Sequence, residues 1–515
     1  MERVVTWQQT VDLETRGTEV RVVRKGESLL LIVVALAACS RQSPVAPPNQ
    51  SDHAVELLVS SDLKGEVEPC GCNLEPLGGL ARLSTALKSV SGQGPKHFLL
   101  HGNLLSEGHA PSPQAEAQFK LKRAFLNRTL PTLGLSLALP GPADRALPKD
   151  LQPGLIGGSP DLAPGAYHSL KGGLLIVREP VQSSLPKSPL KVLVSERSLD
   201  ALRGDIESLQ AAGIGLVLVG GQSGEQALWT SLADGIFLLR SGERGQNLAR
   251  LELHLRGDGP LRELPGASKR KQELARLDQR IEAIREARDR LRVRQASPQA
   301  IAARDRQLVA ARRARADKVN EPLPALPKTG NFVLYHPLVL DSQVADDPAT
   351  ARAVAEHHRE VGDLNRQAES QRQCPEPDKT KAQYVGSKTC KTCHQAAYEL
   401  WQQTPHSKAW KTLEDAGRDY DYACVSCHSA GFGDAQGFCK VTEAGDRLNV
   451  GCEACHGPGS RHAQTGDKAQ IERDRGLAGC TSCHHPPHTK AFHLDDRLAR
   501  ILGPGHGANA APGEP

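Results

Sequence analysis

Four Cys-x-x-Cys-His runs in the last quarter of the chain limit what it can become more than any other feature. They are Cys390-Lys391-Thr392-Cys393-His394, Cys424-Val425-Ser426-Cys427-His428, Cys452-Glu453-Ala454-Cys455-His456 and Cys480-Thr481-Ser482-Cys483-His484. Two thiols separated by two residues can add across the two vinyl groups on one edge of a porphyrin. The adjacent histidine then reaches under the ring as the proximal iron ligand. The pattern predicts four covalently attached haem c groups, with His394, His428, His456 and His484 as proximal ligands. Zinc held by Cys pairs needs no His after every second Cys; all four runs have one.

The runs begin 34, 28 and 28 residues apart. That is too little chain for a domain around each group, so the haems are expected to pack on one another and pass electrons between adjacent rings. Aromatic residues make up only 3% of the chain, and the haems would supply the missing apolar interior. Short helices around each run, with loops between, are predicted for 384–515, a mostly α and irregular region. Met1 is the sole methionine. The sixth iron ligand is therefore His or nothing, and without Met ligation low potentials are expected.

The other end of the chain reads as an address. Residues 28–39 are apolar and follow Arg21, Arg24 and Lys25, as in a signal peptide. Leu36-Ala37-Ala38-Cys39 resembles a bacterial lipobox, which implies lipidation at Cys39 and anchoring to a membrane. Ser40 in place of Asp resembles the outer-membrane sorting pattern. Residues 1–20 are polar and acidic, so the working start is expected near Val22 or Val23. Export fits c-type attachment, which occurs outside the cytoplasm, on the periplasmic side. Residues 40–53, rich in Ser, Pro and Gln, read as a flexible tether.

With 515 residues the chain exceeds a single core, and its formal charge of +5 does not suggest nucleic acid as a partner. Haem propionates would make the C-terminal region more acidic than its sequence. Between 54 and 264, apolar runs at 55–60, 97–100, 174–177, 192–194 and 215–219 read as buried strands. Amphipathic runs at 79–89, 114–127 and 199–212 read as helices, and the alternation predicts an α/β domain.

Residues 268–294 and 300–319 are dense in Lys, Arg, Glu and Ala, broken at Ser297-Pro298. Leu277, Ile281, Ile284 and Leu291 form a narrow heptad (coiled-coil) seam, so an antiparallel helical hairpin is predicted at 268–320. The segment 321–383 then reads as a returning strand at 332–340, a helix at 345–370 opened by Asp346-Asp347-Pro348, and a polar linker. His357 and His358 on that helix are expected at the surface. Cys70 and Cys72 are too close for an easy mutual disulfide. Metal ligation, a redox pair, structural thiols, or pairing with Cys374 or Cys439 all remain open for them.

Two resemblances follow. The run from Leu57 through Asp62, Lys64, Cys70 and Cys72 to Gly78-Gly79-Leu80-Ala81-Arg82 resembles the start of the 5′-nucleotidase branch of the calcineurin-like metallophosphoesterases. In that family two metals are bridged by carboxylates and histidines. Here Lys64 and Asn103 stand at two ligand positions, and only Asp62 remains; no Asn-His pair occurs in the chain. The resemblance implies a vestigial metal site, no divalent metal and no hydrolysis, with Lys64 placing positive charge where a cation would sit. At the other end, 384–462 resembles the tetrahaem cytochrome c family of nitrifying bacteria (cytochrome c five-five-four). That resemblance implies His-ligated haems, one of which lacks a sixth ligand. It marks His406 and His462, then His506, as candidate distal ligands; among the domain's other histidines His488 is a further candidate, and His485 and His493 read as surface or propionate contacts.

The reading is an exported, lipid-anchored electron-transfer protein with redox partner proteins. The alternatives are a haem enzyme acting on a small nitrogen compound at a five-coordinate iron, or a phosphoesterase-derived ligand sensor.

Overall fold

A computed structural model describes residues 54–69, 76–108, 110–111, 115–154, 162–182, 184–221, 226–264, 266–322, 325, 327–472, 476–485, 498 and 501. Cys39, Cys70, Cys72, His488, His493 and His506 lie outside the described residues, as do the leader and tether.

Among the described residues the strands are β1 (Val55–Ser61), β2 (Lys96–Gly102), β3 (Leu135–Pro140), β4 (Tyr167–Leu170), β5 (Leu174–Arg178), β6 (Leu190–Ser195), β7 (Ile214–Val219), β8 (Leu228–Ala233), β9 (Ile236–Arg240), β10 (Asn247–Arg256), β11 (Leu261–Glu263) and β12 (Gly330–Val339). They form two six-stranded sheets, ordered β11-β12-β10-β1-β2-β3 and β4-β5-β6-β7-β9-β8. β1, β2 and β3 run parallel, and β10 closes on β1 antiparallel. In the second sheet β5, β6, β7 and β9 are parallel, with β4 and β8 antiparallel at the edges.

Every residue of β1 is buried, because both its faces are covered. Successive strand side chains point to opposite faces. Val55, Leu57 and Val59 enter the space between the sheets, against Ile176, Val192, Leu218 and Leu251. Leu58, with Phe98 and Leu100 of β2, faces the helices Leu80–Ser89 and Glu116–Thr129. The far face of the second sheet is covered by Leu202 and Leu209. The layers are therefore helix, sheet, sheet, helix. The predicted single helix at 199–212 is two short ones, Leu199–Gly204 and Ile206–Ala211. Asp205 leaves helical geometry at φ −112° after Gly204, a poor helix former.

The charged helices Ala267–Val293 and Pro298–Asn320 form the hairpin, with the Ser297 hydroxyl accepting the Ala300 N–H at the turn. Arg315–Asp278 and Arg288–Asp305 ion pairs show their antiparallel sense. Their seam is thin: Ile281 with Leu308 and Ala311. The hairpin leaves the first sheet after β11 and returns as β12, which pairs with both β10 and β11.

The helix Pro348–Gln371 is capped by Asp347, whose carboxylate accepts the Thr350 N–H at 2.9 Å. It packs Val354 into the helix-side core of the first sheet. Contrary to the surface expectation, His357 is 1% exposed and stacks on Phe125 at 4.5 Å. Its ring supplies apolar area that the helix face needs, and burial pushes its pKa down to about 4. His358 is half-buried, 2.9 Å from Glu68. A Cys374–Cys439 disulfide then ties the following coil to the C-terminal region.

Candidate haem-binding region

Each Cys-x-x-Cys-His run is wound into one tight turn. The His394, His428 and His484 N–H groups donate to the carbonyls of Cys390, Cys424 and Cys480, the first Cys of their own runs. The third run is itself the helix Cys452–His456. In a helical turn, residues i, i+3 and i+4 share one face. Both thiols and the imidazole of a run are thus presented together, as attachment to one porphyrin edge requires.

The imidazoles are oriented by backbone carbonyls. Nδ1 lies 2.7 Å from the Ala409 oxygen in His428, 3.0 Å from that of Glu472 in His456 and 2.9 Å from that of Asp467 in His462. An Nδ1–H donated to a carbonyl leaves the Nε2 lone pair for a metal, the usual arrangement around a ligating histidine. His406 is desolvated, and burial lowers its pKa, favouring the neutral form that can ligate.

Two pairs of imidazole rings lie close together, tilted by 31° and 46°. His394 and His462 have ring centroids 6.1 Å apart, and so do His406 and His484. Two imidazoles about 2 Å either side of one iron place their centroids about 6 Å apart. The residues present therefore fit haem: His394 with His462 would hold the first group, and His484 with His406 the fourth. His428 makes no histidine ring contact among the described residues. His485 is described and exposed.

The runs are also paired in space. The Cys390 and Cys452 thiols are within hydrogen-bonding reach, and so are Cys427 and Cys483. The first run thus lies beside the third and the second beside the fourth. Glu453, inside the third run and 1% exposed, secures the first of these pairings. Its carboxylate accepts N–H bonds from Val385 and Gly386 at 3.0 and 2.7 Å, and from Gly459 at 2.7 Å. An acidic residue between two haem cysteines was the available signal for this role, and the spacing argument passes over it.

The second run is set against the α/β domain. Asp421 caps its helix, Tyr422–Val425, and accepts from Gln118 of the helix Glu116–Thr129. Asn365 donates to Gln118 Oε1 at 2.8 Å and to the Tyr420 carbonyl at 2.7 Å. None of these contacts follows from sequence spacing.

The side chains of Asp62, Lys64 and Asn103, expected from the sequence as a vestigial metal site, have protein partners. Asp62 accepts the N–H groups of Asn103 and Gly221, both at 2.8 Å. Burial nevertheless pushes its pKa up to about 6. The Lys64 ammonium is paired with Glu243. The Asn103 side chain accepts the Ala143 N–H at 3.0 Å and donates to the Gly221 carbonyl at 3.4 Å. Asp62 and Lys64 keep left-handed φ values of 50° and 53°, a costly geometry for non-glycine residues. Among the described residues, no group of three or more His, Cys, Asp or Glu is arranged to hold a metal ion.

Comparison with known proteins locates the two resemblances. The cytochrome c-554 of Nitrosomonas europaea is 37% identical over a stretch covering 11% of this chain and 31% of that protein. The chain thus spans under a third of that relative's length. A 5′-nucleotidase-like structure from Staphylococcus aureus overlaps 39% of this chain and 51% of its own, at 13% identity and a TM-score of 0.29. A calcineurin-like phosphoesterase from Bacillus subtilis overlaps 39% and 85%, at 12% identity and a TM-score of 0.30. The layer order described above, not these overlaps, carries the α/β assignment. Residues 389–457 match the family described as cytochrome c554 and c-prime, so the C-terminal region is similar to c-type cytochromes.

Proposed function

We propose that this chain is an exported c-type cytochrome that transfers electrons through four closely packed, His-ligated haems. The observation that supports this most is the two pairs of close histidines, His394 with His462 and His406 with His484, each with centroids 6.1 Å apart within a region of four attachment runs. Haem iron supplies reversible one-electron chemistry when bound. The chain's own part is to attach, orient and enclose. The eight cysteines of the runs fix the groups covalently. Carbonyls of Ala409, Glu472 and Asp467 aim the imidazoles. Apposition of the first run with the third and the second with the fourth makes neighbouring groups exchange partners for an electron.

In the same reading a lipid on Cys39 holds the protein at the periplasmic side of the outer membrane, tethered through 40–53. The partners are redox proteins that give and take electrons, and the α/β domain does not hydrolyse phosphoesters. Among the described residues no helix is long and apolar enough to cross a membrane.

Haem content by pyridine haemochrome and low-temperature electron paramagnetic resonance test this reading. Four haems per chain are expected. His462→Ala and His406→Ala should each convert one low-spin signal to high-spin. A chain carrying no haem, or two variants with wild-type spectra, would overturn the proposal.

A further inference from the structure

The α/β domain and the second attachment run meet through a buried polar cluster rather than an apolar seam. Gln118 is 6% exposed, Asn365 1%, Glu369 3%, Asp421 5% and Tyr422 5%. Asp421 is the centre. Its carboxylate accepts from Gln118, from the Ala423 N–H at 3.1 Å and from Arg418 Nε at 2.9 Å. Its backbone carbonyl accepts the Cys424 N–H at 2.8 Å. Arg418 in turn reaches Glu68, just past β1. On the other side the Tyr422 hydroxyl lies 3.3 Å from both the Asn365 carbonyl and Glu369, and Glu369 also accepts the Val441 N–H at 2.7 Å.

A buried charge is costly unless paired and hydrogen-bonded. Here the partners come from three places: Arg418 beside the run, Gln118 from the α/β domain and the capped helix itself. The Arg418 guanidinium holds the Asp421 carboxyl below the usual range despite burial, so the charge is kept. A fixed negative charge in a low-dielectric interior favours the more positive, oxidised state of a nearby iron. Groups beyond the direct ligands are the protein's means of setting such a centre.

We infer that Asp421, held by Gln118, which Asn365 in turn fixes, is a positioning residue for the second haem, and that the α/β domain acts through it to hold that haem's potential low. This makes the former phosphoesterase scaffold part of an electron-transfer site. The inference rests on the haem-bearing reading above.

The test is redox titration of the full-length haem-loaded chain, followed optically and by electron paramagnetic resonance. Asp421→Asn removes the charge and leaves Arg418 paired with Glu68 alone, so one component should titrate at higher potential with the other three unmoved. That component is the one absent from a Cys424→Ala/Cys427→Ala chain. Gln118→Met alters only the α/β side, and should move the same single component by a smaller amount. It also decides the matter if Asp421→Asn loses haem. Four attached haems with every component unmoved in Gln118→Met, or all components shifted together, would overturn the inference. Either result leaves the haem-bearing reading standing, whereas a wild-type chain without haem would remove that reading instead.

Discussion

In the α/β domain the space between the sheets is filled by the chain's own aliphatic side chains. Leu57, Val59, Ile176, Val192, Leu216 and Leu251 are all fully buried there. Among the described residues after 384 the main buried cluster is Trp410, Leu413, Tyr422, Val425 and Val441, five residues for a segment with four attachment runs. The run cysteines around it are half-buried or exposed. One region closes its core without help. In the other, among the described residues, a small cluster of buried side chains sits among the attachment runs. The difference points to where each fold's stability comes from: aliphatic burial in the first and, in the haem-bearing reading proposed above, cofactor attachment in the second.

Withholding the cofactor is the severest way to break that contrast. With all eight run cysteines changed to Ala, the segment after 384 should become protease-sensitive while the α/β domain keeps its melting transition. Protection of both segments would mean the five-residue cluster suffices. A smaller effect comes from the other side. Leu57→Ala should cost about 2–5 kcal/mol in the α/β transition, as a cavity in a closed core does, and leave the haem spectra unchanged. Denaturant melts and absorption spectra of one sample check both halves.

The smallest effect sharpens the boundary between the two. The His357 pKa falls from 6.5 to about 4 in the folded chain. Between those values the unfolded chain binds a proton that the folded chain does not. The stability this group contributes is present above pH 6.5 and lost as the pH falls toward 4. His357→Leu should flatten the acid limb of the stability curve by on the order of 1–3 kcal/mol. Melting temperatures of both chains from pH 7 to 4 would show it, and parallel curves would rule it out.

Much of the fold was legible where one residue pattern serves one purpose. The runs at 55–60 and 215–219 are strands because both faces of each are covered, which a continuous apolar stretch announces. The hairpin helices and the Asp347 cap were legible because caps and breakers act locally. β3 and β8 were not: Leu135-Ser136-Leu137-Ala138-Leu139-Pro140 has no β-branched residue, and β8 is a half-exposed edge. His357 was misplaced because a histidine looks polar in sequence, while its ring is apolar enough to stack on Phe125.

The four Cys-x-x-Cys-His runs, by their spacing alone, determined that thiols and imidazole share one face of a turn, since i, i+3 and i+4 geometry is local. The same runs said nothing about their neighbours. That the first lies beside the third, that His462 lies by His394 and His406 by His484, and that Asp421 leans on Gln118 were decided only by the tertiary structure. These partners are brought together by chain reversals, by the Cys374–Cys439 tie and by the docked helix Pro348–Gln371. Such contacts depend on packing between distant segments, which no local spacing encodes.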